Sequence, residues 1–573
     1  MSTGSRRRCG AFGRGPGLAV DLMVRSQAAG RLWRPSPLAL PTPAGPLDGL
    51  ATGSGPCTYR AAKEQYVLAT GNLTLNDVLA HRAEADGDRI GLIWESTERQ
   101  WTEMSFGELA ERAARLAGGL RDCGVRGGDR VALHMTNRLE FIVGMFAISH
   151  IGAVTLPTIA SYAVDELRYV LDHAESKLII VDPGRRAIAD EAAELCEDTS
   201  PVVVGTDELD DKLSGEPVPA ATVGASDPAV LMYSSGTTAR PKGILLSHQA
   251  LVLSGELNAQ HQRLQPTDRS LCVLPLFHVN AMSISMLANM VTGSTLVLTE
   301  TFDPLRYWSQ VRTYGITVGS LVANPIRQVM ELPEQAIDRR HNLRIMIFGM
   351  PLTPEQISEF ERRYDVALIN IWGMTEDLTI GTRSPLYLPR NPNSIGLPMS
   401  GVDLGVFDAD GRELGPNEIG EARFIGGPRL DRYFRDLDST EASNCDGRFC
   451  TGDTMTVDEL GYFHFLDRTK DVIKIKGENV ASAEVERVLI TYPAVADAAV
   501  VGVPDTRRDE RVVAYVLPAP GATIDVDELR TFCSRSLARF KLPHEVHVVD
   551  DMPRTSIGKI RKNELRDKAR GSV

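Results

Sequence analysis

The sequence predicts an α/β protein that has a large N-terminal domain with several sheets and a small α+β C-terminal domain. From Leu73 onwards, short apolar runs alternate with helical patterns, which is typical of sheets that are covered by helices on both faces. Near Asp467 the chain becomes charged, and a second set of strand and helix patterns follows. Because 573 residues are long for a single core, two or three domains are expected.

The elements of the larger part are predicted from the periodicity of its apolar residues. Ser247 is a candidate N-cap for a helix that begins at residue 248. A later helix has Pro354 at its first position, and Thr353 and Gln356 there have the spacing of a capping box. Strands are expected at residues 129–135, 177–181, 228–233, 271–274, 295–298, 315–321 and 344–348, and a helix at residues 139–151.

The C-terminal part repeats this pattern on a smaller scale. A βαβ-like order is predicted there, with a helix at residues 483–489 and strands at residues 472–475, 498–503 and 511–517. The predicted domains are therefore residues 71–469 and 470–573. Residues 1–70 contain a run of three arginines and are rich in Gly, Pro and Ala with little periodicity, so we expect a disordered extension.

The composition disfavours several classes of function. A net charge of -13 argues against a nucleic-acid surface, because phosphate contacts require clustered Lys and Arg. No apolar run is long enough to predict a membrane span. The cysteines form no CxxC pair and no metal-ligand spacing with His, so we expect reduced structural thiols in a cytoplasmic protein. They are Cys9, Cys57, Cys123, Cys196, Cys272, Cys445, Cys450 and Cys533.

The segment from Tyr233 to Gly243 has the composition of a phosphate-binding loop. Glycine lets the backbone approach an oxyanion, hydroxyls and amides donate to it, and Lys242 supplies a mobile positive charge. We expect this loop to join a strand to a helix. The consecutive Gly, Lys and Ser or Thr of a Walker A motif are absent, which disfavours a P-loop NTPase; a hydroxyl-rich surface turn is the alternative. The candidate ligands are Ser234, Ser235, Gly236, Thr237, Thr238 and Lys242.

Four further segments follow the loop, at residues 370–376, 451–453, 467–471 and 553–560. In this order and at these distances, the five segments resemble those of the acyl-adenylate-forming superfamily, which contains acyl-CoA synthetases, amino-acid adenylation domains and luciferases. The resemblance covers roughly residues 72 to 567. In motif detail the chain looks most similar to members of the crotonobetaine/carnitine-CoA ligase type, on the residues Ala239–Gly243, Gly477–Val480 and Arg508–Glu510.

The resemblance implies ATP and Mg²⁺ as ligands and assigns the residues that bind them. The loop ligands would hold the β- and γ-phosphates, although Ala239 replaces the usual glycine. Thr375 and Glu376 would contact the α-phosphate, and Glu376 would also bind the metal ion. Trp372, where the family commonly has tyrosine, would stack on adenine, and a core aromatic residue is the alternative. The remaining nucleotide contacts implied are Gly349, Met350, Pro351, Asn370, Ile371, Gly373 and Met374, with Asp453 and Arg468 on the ribose.

The resemblance also implies a C-terminal domain that rotates about a hinge at Lys470. Lys559 would bridge the carboxylate and the α-phosphate during adenylation and leave the site when the domain turns. CoA would then be bound beside Lys474, Lys476 and Gly477. A proline that the family often has shortly after this segment is replaced, since Ala481, Ser482 and Ala483 precede Glu484.

The acyl pocket implied by the resemblance is largely apolar. Its candidate lining residues are His278, Asn280, Met282, Met286, Val322, Ala323, Met350 and Ile380. Amino-acid adenylation domains carry an aspartate where this chain has His278, so an α-amino acid is disfavoured. His278 would approach the carboxylate or gate the thiol tunnel, and a purely structural histidine is the alternative. Neutral, adaptable side chains suit a bulky hydrophobic acid, polycyclic acids included, better than a betaine.

The predicted function is ATP-dependent ligation of a carboxylic acid to CoA through an acyl-AMP intermediate. A second candidate is an adenylating enzyme that passes its acyl-AMP to a carrier protein or a partner enzyme. A luciferase-like oxygenase and a non-catalytic sensor are further alternatives, and the presence of Glu376, Asp453, Arg468 and Lys559 together argues against the sensor. A homodimer is left open.

Overall fold

The computed structural model describes residues 70–233, 241–349, 352–468, 471–475, 478–505, 509–555 and 559–570. Among these residues the helices are α1 Leu75–Asp86, α2 Phe106–Asp122, α3 Leu139–His150, α4 Val164–Ala174, α5 Arg186–Glu194, α6 Leu209–Lys212, α7 His248–Gln262, α8 Ala288–Thr292, α9 Pro304–Thr313, α10 Ala323–Met330, α11 Pro354–Tyr364, α12 Leu437–Ala442, α13 Ser482–Ile490, α14 Val526–Cys533 and α15 Lys562–Arg570. Short 3₁₀ turns lie at Pro183–Arg185, Thr206–Glu208 and Arg539–Lys541, and a π-helix at Asn280–Leu287.

The strands up to position 372 are β1 Ile90–Glu95, β2 Trp101–Ser105, β3 Arg130–His134, β4 Val154–Pro157, β5 Ser176–Val181, β6 Val202–Gly205, β7 Pro228–Tyr233, β8 Gly243–Ser247, β9 Arg269–Cys272, β10 Thr295–Thr299, β11 Val318–Val322, β12 Ile345–Gly349 and β13 Ala367–Trp372. The later ones are β14 Thr382–Arg383, β15 Leu397–Pro398, β16 Val402–Phe407, β17 Gly420–Gly426, β18 Arg432–Tyr433, β19 Asn444–Cys445, β20 Arg448–Val457, β21 Phe463–Arg468, β22 Ile473–Ile475, β23 Glu478–Val480, β24 Val495–Asp505, β25 Asp509–Pro518 and β26 Glu545–Val548. The predicted strands and helices are confirmed to within a few residues at their ends.

Two large sheets form most of the N-terminal part. Within the described residues, one sheet has the strand order β15-β14-β13-β12-β11-β9-β10-β1-β2, and its strands from β10 to β13 run parallel. The other has the order β18-β8-β7-β4-β3-β5-β6. Thr353 caps α11 with the predicted capping box, and Ser247 caps α7. β7 leads into the predicted phosphate loop, and the segment at residues 370–376 begins near the end of β13. The two sheets therefore fix the positions from which these two motifs start.

The prediction that the phosphate loop joins a strand directly to a helix is wrong. The chain continues from the loop into β8, which pairs antiparallel with β7, and only then enters α7. The residues Gly243 to Ser247 form a short apolar run that is almost completely buried. In the sheet their apolar side chains are removed from water and their backbone groups are hydrogen-bonded to β7. The loop therefore connects two neighbouring antiparallel strands.

A third, antiparallel sheet carries two further motifs. Its strand order is β16-β17-β20-β19, with β21 paired to β20 among the described residues. β20 contains Asp453, and β21 contains Asp467 and Arg468. The pairing of the two strands sets Asp453 opposite Arg468. Hairpin register therefore brings together two side chains that lie 15 positions apart in the sequence.

The C-terminal part has a sheet of its own, in the order β23-β22-β25-β24 with β26 beside β25. The βαβ-like order is confirmed as a split unit: β22 and β24, which α13 connects, each pair antiparallel with β25, which lies between them, so β22 and β24 run parallel to each other. A short connection between β24 and β25 forms a hairpin, and a parallel arrangement would require a longer crossover. We call the described residues up to 468 the N-terminal lobe and those from 471 onwards the C-terminal lobe.

The hydrophobic clusters follow the same division. The largest buried cluster contains residues from Leu75 to Phe463, and two clusters of the C-terminal lobe contain residues from Ile473 onwards. The small C-terminal domain predicted from the sequence therefore has its own apolar core. No helix among the described residues is long and apolar enough to cross a membrane.

The expectation that the cysteines are unpaired thiols is wrong at one place. Cys445 and Cys450 form a disulfide bond, and their Cα atoms are 5.8 Å apart. The cause is the tight hairpin between β19 and β20, which returns the chain within five residues. Such a contact depends on the turn geometry, and the spacing of two cysteines in a sequence does not specify it.

Candidate active site

The ends of the phosphate loop are held by aromatic side chains. The hydroxyl of Tyr233 lies 2.6 Å from Nδ1 of His173, and the hydroxyl of Tyr169 donates to the carbonyl oxygen of Pro241 at 3.2 Å. Burial, and next the charge of Arg435, lower the pKa of His173. A neutral His173 can accept a hydrogen bond from the Tyr233 hydroxyl. The two contacts therefore fix the positions of Tyr233 and Pro241, the described residues on either side of the loop.

Lys242 lies at the end of that loop and faces a neighbouring strand. Its Nζ donates to the hydroxyl of Ser439 at 2.6 Å and lies 5.3 Å from the centre of the Tyr433 ring. The Tyr433 hydroxyl in turn donates to Oε1 of Glu376 at 3.0 Å. Tyr433 therefore connects the predicted phosphate-binding lysine to the predicted metal ligand.

Glu376 is almost completely buried, and this burial is the main reason why its pKa is raised. The neighbouring Asp377 is also buried, which raises its pKa to about 8, and its Oδ1 accepts from the backbone N–H of Met374 at 2.8 Å. A backbone N–H, the Tyr433 hydroxyl and the charge of Arg468 offset the burial of Glu376 only in part, and a hard divalent cation prefers carboxylate oxygens as ligands. Glu376 therefore fits the metal-binding role, while Asp377 orders the turn next to it.

Asp453 is the centre of a second cluster. Its Oδ1 lies 2.7 Å from Nε of Arg468, and its Oδ2 accepts from Nε1 of Trp372 at 2.9 Å. Trp372 packs tightly over Gly381, where a Cβ atom would lie 2.4 Å from the indole ring. The indole N–H bond to the carboxylate is a contact that the sequence did not predict; stacking of Trp372 on adenine stays a prediction.

The charge of Lys559, in the C-terminal lobe, acts on the Asp453 carboxylate. Burial raises the pKa of Asp453, and the positive charges of Arg468 and Lys559 act in the opposite direction. Thr555 holds the Lys559 backbone: the Lys559 N–H donates to Oγ1 of Thr555 at 3.1 Å, and the Lys559 carbonyl accepts from the Thr555 N–H at 2.7 Å. The C-terminal lobe thus presents its predicted catalytic lysine to the predicted ribose-binding carboxylate.

The predicted acyl-pocket residues lie on the π-helix and the strand ends around it. The side chain of Asn280 accepts from the Ser320 hydroxyl at 2.9 Å, which joins the π-helix to β11 just before Val322 and Ala323. Met282 is completely buried in the main core, as is Met286. Ile380 is 1% exposed and packs in a separate apolar cluster with Leu253, Leu257 and Met399.

His278 precedes the π-helix, and its ring lies 4.7 Å from that of Phe277. Burial lowers the pKa of His278 to about 4, so the imidazole is neutral at physiological pH. A neutral ring can accept or donate a hydrogen bond to a substrate, but it supplies no positive charge for a carboxylate. This favours the gating role over electrostatic attraction of the acid.

The other predicted site residues are placed as follows. Gly349 ends β12, Ile371 lies on β13, and Asn370 on the same strand donates to the Ser394 carbonyl at 3.1 Å. Lys474 is exposed on β22, and its backbone N–H donates to Glu510 at 2.7 Å. Gly373, Met374 and Thr375 form the partly buried turn before Glu376. Outside the described residues lie Ser234, Ser235, Gly236, Thr237, Thr238, Met350, Pro351, Lys470, Lys476 and Gly477.

Comparisons with known proteins identify the family of the chain. The family model described as AMP-binding enzyme matches residues 79–430, and the model of the AMP-binding enzyme C-terminal domain matches residues 484–559. The chain belongs to the AMP-binding enzyme family. It is an AMP-dependent acyl-CoA synthetase, which uses ATP and CoA and forms an acyl-adenylate.

Several relatives match this chain over nearly their whole length. A crotonobetaine/carnitine–CoA ligase of Citrobacter koseri is 32% identical over 515 residues, which are 87% of this chain and 99% of the relative. The corresponding ligase of Escherichia coli O157:H7 is 33% identical and covers 84% of this chain and 97% of its own length. The crystal structure of ATP-bound MatB from Rhodopseudomonas palustris is 30% identical, with a TM-score of 0.79, and covers 87% of this synthetase and 99% of MatB.

Two residues of the site were not predicted from the sequence. Tyr433 and Ser439 lie near the end of the N-terminal lobe, about 200 residues after Lys242, and become its neighbours only because β18 pairs with β8. An aromatic residue among charged neighbours in the sequence carries no signal for this contact. Only the order of strands in the sheet places it.

Proposed function

We propose that this synthetase activates a bulky, largely hydrophobic carboxylic acid and transfers it to CoA. The observation that supports the chemistry is that Arg468 and Trp372 bond to the buried Asp453 carboxylate, while the positive charge of Lys559 in the other lobe acts on the same group. In this proposal Asp453 and Arg468 hold the ribose, and Lys559 is placed to neutralise charge where the carboxylate meets the α-phosphate.

The metal ion belongs to the same proposal. Mg²⁺ bound to Glu376 would neutralise phosphate charge, and Lys242 with the loop hydroxyls would hold the leaving pyrophosphate. Tyr433 would orient the Glu376 carboxylate through its 3.0 Å hydrogen bond. The hinge at Lys470 and the domain limits 71–469 and 470–573 are part of the proposal as well.

The acid is proposed from the side chains around the π-helix. The predicted lining residues are neutral, and three of them, Met282, Met286 and Ile380, are buried among apolar groups. A flexible thioether can adapt to an irregular hydrophobic ligand. The relatives named above act by their names on crotonobetaine and carnitine, and a quaternary ammonium group would require an aromatic cage or a carboxylate.

A buried guanidinium strengthens the argument against a betaine. Arg383, three residues after Ile380, is 3% exposed and donates to Asn258 at 2.6 Å, and Asn258 donates to Ser283 of the π-helix at 2.8 Å. Among the described residues, no carboxylate lies within ion-pair distance of Arg383. A positive charge behind the π-helix repels a cationic substrate in a medium of low dielectric constant.

The test is pyrophosphate release across a panel of aliphatic, aromatic, terpenoid and betaine acids, each measured with and without CoA. The proposal expects the highest kcat/KM for a bulky hydrophobic acid, and acyl-CoA as product. Activity confined to crotonobetaine or carnitine would overturn the assignment of the acid. Accumulation of acyl-AMP in the presence of CoA would favour the second candidate, an adenylating enzyme that hands its product to a partner protein.

A further inference from the structure

A buried carboxylate, Asp467, connects the two lobes next to the nucleotide site. It is 3% exposed and lies on β21, one position before the ribose-binding candidate Arg468. Its Oδ2 accepts from the backbone N–H of Ser482 at 2.5 Å, from the Ser482 hydroxyl at 2.6 Å and from the Ala483 N–H at 3.3 Å. Three donors at the start of α13 therefore converge on one oxygen of a residue in the other lobe.

This contact replaces the missing N-cap of α13. The cap position is Ala481, whose side chain cannot accept a hydrogen bond, so the first N–H groups of the helix need an external acceptor. A carboxylate at a helix N-terminus also interacts favourably with the helix dipole. A proline at position 482 would lack the N–H that Asp467 uses.

A cation of the C-terminal lobe completes the cluster. Nζ of Lys562 donates to the Ser482 hydroxyl at 2.6 Å and lies 2.7 Å from Oε1 of Glu486. Burial lowers the pKa of Lys562, but the carboxylates of Glu486 and Asp467 outweigh this effect and raise it. Lys562 therefore remains charged, and the Ser482 hydroxyl lies between an ammonium donor and a carboxylate acceptor.

We propose that Asp467 is a positioning residue that holds the C-terminal lobe in the orientation in which Lys559 faces Asp453. This inference rests on the proposed function, in which adenylation and thioester formation use two orientations of that lobe. Asp467 precedes the proposed hinge at Lys470, and Ser482 follows it. When the chain turns at the hinge, the carboxylate stays with β21 while α13 moves, so the three bonds must break.

The contact therefore favours the first half-reaction over the second. With the bonds in place, Lys559 is held at the nucleotide site, as adenylation requires. Without these bonds, α13 loses its cap, and this orientation of the lobe is less stable. Removing the contact should reduce adenylation and leave the transfer of a preformed acyl-AMP to CoA unchanged or faster.

The experiment compares the two half-reactions in Asp467→Ala and Ser482→Ala. Adenylation is measured by ATP–pyrophosphate exchange with the best acid of the panel, and thioester formation by single-turnover reaction of the supplied acyl-AMP with CoA. We expect exchange to fall about tenfold in Asp467→Ala and about threefold in Ser482→Ala, which keeps its N–H donor. Ser482→Thr keeps the hydroxyl and the N–H donor, so its exchange rate should be close to that of wild type.

Glu484→Gln is the matched control, because Glu484 lies on the same helix and its ion pair with Lys541, at 2.7 Å, stays within the C-terminal lobe. Its loss lowers stability without depending on the orientation of the lobe. We expect Glu484→Gln to leave the ratio of the two half-reactions unchanged. The positioning role would be overturned if the rate of adenylation relative to thioester formation fell as much in Glu484→Gln as in Asp467→Ala.

The orientation itself can be measured without knowledge of the acid. Spin labels at Leu305→Cys and Val548→Cys, both exposed positions on different lobes, report the distance between the lobes with ATP and Mg²⁺ bound. The label carrier has Cys9, Cys57 and Cys123 replaced by Ser. Asp467→Ala should broaden or shift the distance distribution, and Glu484→Gln should not.

An unchanged distribution together with equal losses in both half-reactions would show that Asp467 only stabilises the fold. If Asp467→Ala does not fold, the same comparison between Ser482→Ala and Ser482→Thr decides. Failure of the proposed function looks different, because the wild-type chain would then support no pyrophosphate exchange with any acid or no transfer to CoA.

Discussion

The nucleotide side and the acyl side of this synthetase are built from opposite kinds of contact. Around Asp453 and Glu376, buried charged groups are joined by specific bonds to Arg468, Trp372 and Tyr433. Around the π-helix, the predicted lining consists mostly of neutral side chains packed against a core. Charged pairs require exact geometry, whereas apolar packing tolerates changes of shape. From this difference we expect substitutions on the nucleotide side to change the reaction rate, and substitutions on the acyl side to change which acid is accepted.

The largest effect is expected on the nucleotide side. Lys559→Ala should reduce acyl-adenylate formation by about a thousandfold, because a preorganised positive charge at the reacting centre is lost. Thioester formation from supplied acyl-AMP should remain close to wild type. ATP–pyrophosphate exchange and single-turnover thioester formation measure the two effects, and unchanged exchange would contradict the role of Lys559.

A somewhat smaller effect is expected from the metal ligand. Glu376→Ala should reduce adenylation by about a hundredfold and raise the Mg²⁺ concentration needed for half-maximal rate, because one oxygen ligand is removed. Titration with MgCl₂ at saturating ATP measures both values. Tyr433→Phe is the control that keeps the carboxylate and removes only its hydroxyl donor, and it should cause a smaller loss. Equal Mg²⁺ dependence in wild type and Glu376→Ala would exclude this ligand.

Trp372→Phe sharpens the comparison between the two sides. The substitution keeps an aromatic ring and removes the N–H that donates to Asp453, so we expect KM for ATP to rise about fivefold while KM for the acid stays the same. Steady-state kinetics with each substrate varied in turn separates the two constants. An equal rise of both constants would indicate that Trp372 also shapes the acyl pocket.

On the acyl side, a substitution that creates a cavity should change the preference among acids more than the maximal rate of adenylation. Met282→Ala removes a completely buried side chain and should lower the free energy of unfolding by about 2–4 kcal/mol. We expect kcat/KM to shift by a few fold towards larger acids, with the rate of pyrophosphate exchange at saturating acid nearly unchanged. Ile326→Val, a smaller change in the same core, is the control for stability alone. No shift among acids would place Met282 outside the pocket wall.

The smallest effect concerns pH. The pKa of His278 is about 4 in the folded chain and near 6.5 in an unfolded one, so the unfolded state binds more protons between these values. The stability from this group is complete above about pH 6.5 and falls on acidification towards pH 4, by up to ~1.4 kcal/mol per pH unit. Urea unfolding of wild type and His278→Gln at pH 7.5, 6 and 5 should show a smaller acid loss in the variant. Parallel pH profiles would mean that the imidazole is not buried as a neutral group.

The local elements could be read from the sequence because their causes are local. Thr353, Pro354 and Gln356 begin a helix through contacts within one turn, and the structure has the predicted capping box. The strand β8 was missed, because its five residues follow the loop directly and a short apolar run does not distinguish a strand from the start of a helix. The place of β25 between β22 and β24 could not be predicted for a related reason, since strand order depends on pairing between distant segments.

The candidate site divides in the same way. Residue types such as Glu376, Asp453, Arg468 and Lys559 could be proposed from their motifs, since each motif keeps its chemistry within a few positions. Their partners could not: the bond from Tyr433 to Glu376 depends on the pairing of β18 with β8, and the cap that Asp467 provides for α13 joins two lobes. The disulfide between Cys445 and Cys450 likewise depends on one hairpin turn.

By itself, the sequence determined the α/β class and the family and predicted which residues act on the nucleotide, because periodicity and short motifs are properties of neighbouring residues. Only the tertiary structure decided which side chains meet: Trp372 with Asp453, Lys242 with Ser439, and Asp467 with Ser482. The physical reason is that hydrogen bonds act over about 3 Å, and strand order and lobe orientation decide which distant residues come within that distance.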